Sequence, residues 1–108
     1  MSIGSVMAIS LSGMQAQTQK LSATASNVAN ALTPGYNRLE TQFNTTASGG
    51  VSASTFPSGQ PSLPESSNVD IASEMLSLIQ AELAFKANAS AWESGADMWD
   101  VLKTIVRD

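Results

Sequence analysis

Carboxylates at helical spacing are the side chains in this sequence best suited to chemistry. Glu93 and Asp97 stand four residues apart, and Glu74, Leu78 and Glu82 follow the same interval, so each set shares one helix face. Two carboxylates on one face can act as general acid and base or hold a hard cation. The rest of a reactive site does not accompany them. The 108 residues include no His and no Cys, which removes imidazole bases, thiolate nucleophiles and His/Cys metal sites. No Gly-rich phosphate loop and no nucleophile elbow occurs either. A solvated acidic helix face accounts for these carboxylates, so the sequence predicts no enzyme, no catalytic residue, no metal and no cofactor.

Charge points away from polyanions. Nine acidic and five basic residues give a net charge of −4, without the basic footprint that nucleic acid or an anionic membrane would need. Residues 1–54 hold only Lys20, Arg38 and Glu40, whereas residues 55–108 hold three basic and eight acidic groups. Such asymmetry suits the pairing of two ends or two subunits, although an acidic solvated face explains it more simply. The first basic residue is Lys20, and no long unbroken apolar run follows Met1, so neither a signal core nor a membrane span is expected. Asn44-Thr45-Thr46 and Asn88-Ala89-Ser90 match the glycosylation triplet by chance on this reading.

The elements that carry these residues follow from periodicity. In residues 3–32, Met7, Leu11, Met14, Leu21, Ala25, Val28 and Leu32 alternate at three and four positions, with Thr18 bridging the gap. That period predicts a helix with a narrow apolar seam, as in a coiled coil. Ser2 or Ser5 supplies its cap, and Thr33-Pro34 ends it, because the residue before proline avoids the α region. Residues 68–107 predict a second helix, capped by Ser67 or Asn68 with Asp70 in the first turn. Its seam runs Ile71, Met75, Leu78, Phe85, Ala89, Trp92, Ala96, Trp99 and Val106, with Leu76, Ile79, Leu83, Leu102 and Ile105 widening it.

Between the helices the composition changes. Of residues 33–67, 20 of 35 are Ser, Thr, Gly or Pro, and large apolar side chains are sparse. Thr33-Pro34-Gly35-Tyr36 reads as a type II turn, with Pro34 fixing φ and Gly35 taking positive φ. The remainder is expected to be a long flexible loop with room for a short extended stretch near Tyr36–Thr46. The predicted fold is therefore all-α, an antiparallel coiled-coil hairpin of two long terminal helices. Its segments are a helix within 1–32, a turn and loop over 33–67, and a helix within 68–108, together one structural domain.

Two lone helices cannot cover every apolar stripe. Trp92 and Trp99 each present roughly 150–250 Å² of surface, so the second helix needs more than one neighbour. Small residues on the first helix, Ala16, Ser22, Ala25 and Ala29, allow close helix approach. The expected consequence is self-association or packing into a larger assembly.

Both ends of the chain resemble a known family. Ser12-Gly13-Met14-Gln15-Ala16-Gln17, Leu21, Ala25-Ser26-Asn27-Val28-Ala29-Asn30 and Thr33-Pro34-Gly35-Tyr36-Asn37-Arg38 are similar to the N-terminal signature of bacterial flagellar rod and hook proteins. Asn68-Val69-Asp70-Ile71-Ala72, Glu74-Met75, Ile79-Gln80-Ala81 and Ala87-Asn88-Ala89 are similar to the matching C-terminal signature. The resemblance implies a structural subunit of the flagellar basal body that polymerises helically around the export channel. The short connection, with no room for a hook-type inserted domain, implies the proximal rod. It further implies partners among other rod subunits and basal-body components, passage through the flagellar type III export apparatus without a cleaved signal, and a periplasmic location. The predicted subunit-interface residues are Leu11, Met14, Leu21, Asn27, Val28, Asn30, Pro34, Gly35, Tyr36, Arg38, Ile71, Met75, Leu78, Phe85, Trp92 and Trp99. Asn27 and Asn30 would bond backbone groups or a neighbour's loop. The turn would aim Tyr36 and Arg38 outward, Tyr36 packing between subunits and Arg38 pairing with an acid of the C-terminal helix.

Two other classes compete. A small type VII-like secreted hairpin has a Trp-x-Gly turn between its helices, but Trp92-Glu93-Ser94-Gly95 has one residue too many and lies inside the second helix. A cytosolic coiled-coil export chaperone or adaptor would form a discrete dimer, whereas a rod subunit polymerises.

Overall fold

In the computed structural model, which describes residues 2–106, the chain forms a slender rod measuring 70 × 24 × 14 Å. Met1, Arg107 and Asp108, at the outer limits of the predicted segments, lie outside the described residues. Helix α1 spans Ile3–Ala29 and helix α2 spans Ile71–Val106, with strands β1 (Leu39–Thr45) and β2 (Val51–Pro57) between them.

The ends of α1 follow from local chemistry. Ser2 caps its start, the side-chain oxygen accepting from the Ser5 amide at 3.0 Å. Its end comes three residues earlier than the proline alone requires. Asn30 closes the last turn, its side-chain amide donating to the Ser26 carbonyl at 2.9 Å while Thr33 bonds back to Asn30. The predicted type II turn follows, with Gly35 at φ 75° and the Tyr36 amide bonded to the Thr33 carbonyl. On α2 the cap is Asp70, not Ser67 or Asn68. Its carboxylate accepts from the Ala72 amide and the Ser73 hydroxyl, leaving Asn68 free for other work.

The expectation of an all-α fold is wrong. Residues 39–57 form a two-stranded antiparallel sheet in which Leu39 pairs with Pro57, Phe43 with Ala53 and Thr45 with Val51. Alternation in Leu39, Thr41, Phe43 and in Val51, Ala53, Thr55 puts these residues on one face, the period-2 signature of a half-buried sheet. The turn uses Gly49 at φ 92°, with its amide bonded to the Thr46 carbonyl. A two-stranded ribbon is marginal alone, so α1 supports it. The Ser12 hydroxyl accepts from the Val51 amide, Gln19 donates to Thr55, and the Lys20 ammonium lies 5.8 Å from the centre of the Phe43 ring. An exposed, mostly polar composition disguises this hairpin as a loop.

The helices are antiparallel, with Met7 against Gly95 and Gly13 against Asn88. Their seam is not the predicted apolar one. On α1 the buried residues are Ser10, Gly13, Ala16, Ala23, Thr24 and Asn27. On α2 they are Glu74, Ala81 and Gly95, and half-buried Asn88 completes a run at every seventh residue. The heptad period is therefore as expected, but its phase is shifted. Met14, Leu21 and Val28 each stand one residue past Gly13, Lys20 and Asn27, and Met75, Ala89 and Ala96 stand one past Glu74, Asn88 and Gly95. Small residues bring the backbones close together. A Cβ on Gly95 would lie 2.7 Å from the Met7 side chain, and one on Gly13 would lie 2.5 Å from that of Asn88. The larger apolar side chains consequently face outward.

Candidate functional site

Two features stand out, a polar clasp at the base of the sheet and the apolar flanks of the rod. The clasp is built around the two largest fully buried side chains, Asn27 and Glu74, each 1 % exposed. Asn27 acts as a strand partner for the start of β1. Its Oδ1 accepts from the Leu39 amide at 2.7 Å and the Tyr36 hydroxyl at 2.9 Å, and its Nδ2 donates to the Leu39 carbonyl at 2.9 Å. Arg38 donates from Nε and Nη2 to Glu74 Oε1, both at 3.0 Å, and from Nη1 to Glu40 at 3.0 Å. Asn68 accepts from the Arg38 amide at 2.7 Å and donates to Asn37, tying the approach to α2 to the same point. Every buried side-chain nitrogen and oxygen among the described residues has a partner.

This geometry corrects two expectations. Tyr36 and Arg38 do not point outward; Tyr36 reaches back to Ser26 and Asn27, and Arg38 reaches across to Glu74. The acid of the C-terminal helix that pairs with Arg38 belongs to the same chain. Glu74 is correspondingly no part of a solvated face, although Glu82, Glu93 and Asp97 are exposed. The sequence signal for Glu74 was its position one residue before Met75, inside the seven-residue repeat that runs on to Ala81, Asn88 and Gly95. A carboxylate in a buried register position needs a cation, and Arg38 is the basic residue nearest in the fold.

The flanks hold most of the predicted interface residues. Leu11, Leu21, Val28, Ile71, Met75, Phe85, Trp92 and Trp99 are all exposed, Leu21 at 42 % and Trp99 at 52 %. Met14 and Leu78 are half-buried, and Pro34 and Gly35 lie at the surface of the turn. An open groove of about 610 Å³ runs along one side of the helix pair, lined by Gln17, Thr18 and Leu21 of α1 and Leu78, Ala81, Glu82, Phe85 and Lys86 of α2. Contiguous apolar surface on so thin a rod marks a contact site. No helix among the described residues is long and apolar enough to cross a membrane.

A helix hairpin closed by small residues, stapled by a polar clasp and apolar on its flanks defines a class: a structural subunit with surfaces left for neighbours. Comparison with known proteins names the family. Residues 7–37 match the family described as flagella basal body rod protein, and residues 62–105 match the flagellar basal body rod FlgEFG protein C-terminal family. The two matches lie at opposite ends and together cover most of the chain, which belongs to the flagellar basal-body rod family. It is 52 % identical over 44 residues to the flagellar hook protein FlgE of Brucella abortus biovar 1 (strain 9-941) and of Brucella suis biovar 1 (strain 1330). The corresponding protein of Rhizobium meliloti (strain 1021) is 48 % identical over 44 residues. Each alignment covers 41 % of this chain and 11 % of the relative, so the chain matches a small part of these longer proteins.

Proposed function

We propose that this chain is a subunit of the proximal flagellar rod, polymerising by helical side-by-side packing into the drive shaft around the export channel. Its partners are other rod subunits and basal-body components, it reaches its place through the flagellar type III export apparatus, and it works in the periplasm. The observation that carries the reading is the outward phase of both apolar seams. A hairpin that closes on Gly13, Ala16, Ala23, Ala81 and Gly95 keeps Leu21, Phe85, Trp92 and Trp99 for other molecules. The compact connection favours a rod subunit over a hook subunit, since only the sheet of residues 39–57 and its linkers separate the two helices. Contacts that join unlike patches without closing a ring produce an open filament.

Leu21→Asp combined with Phe85→Asp tests this. Both side chains are exposed in the subunit, so its helical circular dichroism is expected to stay unchanged. Covering a carboxylate costs well over the 1.4 kcal/mol that equals about a tenfold change, so the critical concentration for polymerisation should rise at least about tenfold. Assembly of the variant at the parental concentration would refute the reading.

A further inference from the structure

The ribbon of β1 and β2 has two edges, and α1 holds each of them at one end only. Leu39 turns its amide and carbonyl outward to Asn27, and Val51 turns its amide outward to Ser12. The bonds that close the ribbon, from the Thr46 amide to Gly50 and from the Ser58 amide to Arg38, lie in the alternate phase. Backbone groups alternate in direction along a strand. Thr41, Phe43 and Thr45 on β1 and Ala53 and Thr55 on β2 therefore face outward as well. Among the described residues no hydrogen bond reaches their amides or carbonyls.

Nothing guards these edges. Soluble proteins blunt a free edge with lysine, proline or a bulge. Here residues 41–45 and 51–56 hold neither a charge nor a proline, and the register runs unbroken from Leu39 and Pro57 to Thr45 and Val51. Bare main-chain groups on an uncharged ribbon are a template for another strand.

We infer that the β1 edge of one copy pairs with the β2 edge of the next, main chain to main chain. The inference rests on the proposed polymerisation and names one of its contacts. A filament that never closes joins unlike patches of copies in like orientation. Side by side in that orientation, β1 of one copy runs antiparallel to β2 of its neighbour, the same sense as within the hairpin. The two edges lie on opposite sides of the ribbon, so each copy seats two neighbours without competition. Pairing β1 with β1 instead needs a two-fold axis and closes that edge as a dimer.

Amide hydrogen exchange of the full chain, as dilute monomer and in polymer assembled from this chain alone, reads the contact. In the monomer Thr41, Phe43, Thr45, Ala53 and Thr55 should exchange fast, while Gln42, Asn44, Ser52 and Ser54 are protected. In the polymer the outward amides of both strands should slow at least about tenfold. Ala53→Pro removes an outward donor and spares the ladder within the hairpin. This variant should stay monomeric at concentrations where the parent polymerises. Slowing on one strand alone, or Ala53→Pro chains that dimerise or polymerise with the parent's ease, would overturn the inference. Polymer whose outward amides stay fast would overturn it too and leave the proposed function standing. A parent chain that never polymerises would remove both.

Discussion

Arg38→Ala is expected to destabilise the subunit by about 3 kcal/mol, because it leaves a buried carboxylate without its cation. Glu74 is 1 % exposed and receives two bonds from the guanidinium, whereas Arg38 keeps 21 % of its side chain exposed and has Glu40 as a second partner. The two ends of the pair are therefore unequal. Glu74→Ala, which strands the more accessible partner, should cost less, about 2 kcal/mol. The double variant should be more stable than Arg38→Ala alone, since no isolated buried charge remains. Urea unfolding of the four proteins gives the coupling directly. Additive losses would mean that the Arg38 and Glu74 side chains do not act as a pair.

Asn27→Ala is expected to cost a similar amount, about 3 kcal/mol, for a different reason. It removes both side-chain bonds to Leu39 and the bond to the Tyr36 hydroxyl, leaving a partly buried amide and carbonyl without partners. Its effect should be local before it is global. Hydrogen exchange at Leu39 and along β1 should accelerate, while the Ala16–Ala81 region of the helix pair keeps its protection. Ser26→Ala, which removes only the shared hydroxyl contact with Tyr36, should cost less than about 1 kcal/mol. Uniform loss of protection through α1 in Asn27→Ala would show that the residue holds the helices together and not the sheet.

Much of this architecture is legible in the amino-acid sequence. The three-and-four alternation of Met7, Leu11, Met14 and Leu21 does mark a helix, Pro34 and Gly35 do make a type II turn, and Ser2 does cap. What alternation cannot reveal is which of two adjacent stripes faces the partner helix. Bulk argues for burying Leu21 and Phe85, yet close approach at Gly13, Ala16, Ala81 and Gly95 lets the smaller stripe close the hairpin. Under the proposed function the large side chains serve neighbouring subunits, and the usual link between size and burial within one chain is broken.

The sheet was hidden for a related reason. Thr41, Thr45, Ser52 and Thr55 look like loop residues in composition, but β-branched threonines suit a pleated ribbon, and Gly49-Gly50 supplies the turn between two seven-residue runs. The clasp was the least legible part. Asn27, Arg38, Asn68 and Glu74 are scattered over 48 positions of sequence, and each has an ordinary local reading as a cap, a turn residue or a solvated charge. Their meeting depends on the antiparallel register of α1 and α2, which places the end of one helix beside the start of the other.

The central claim is that a single molecule is folded yet uncovered, its greasy flanks awaiting other copies. Iodide quenching of the intrinsic fluorescence of Trp92 and Trp99, measured on dilute monomer and on sedimented polymer, tests it most directly. The account predicts strong quenching in the monomer and severalfold weaker quenching in the polymer. Indoles already shielded in a monomer that stays solitary at high concentration would contradict it.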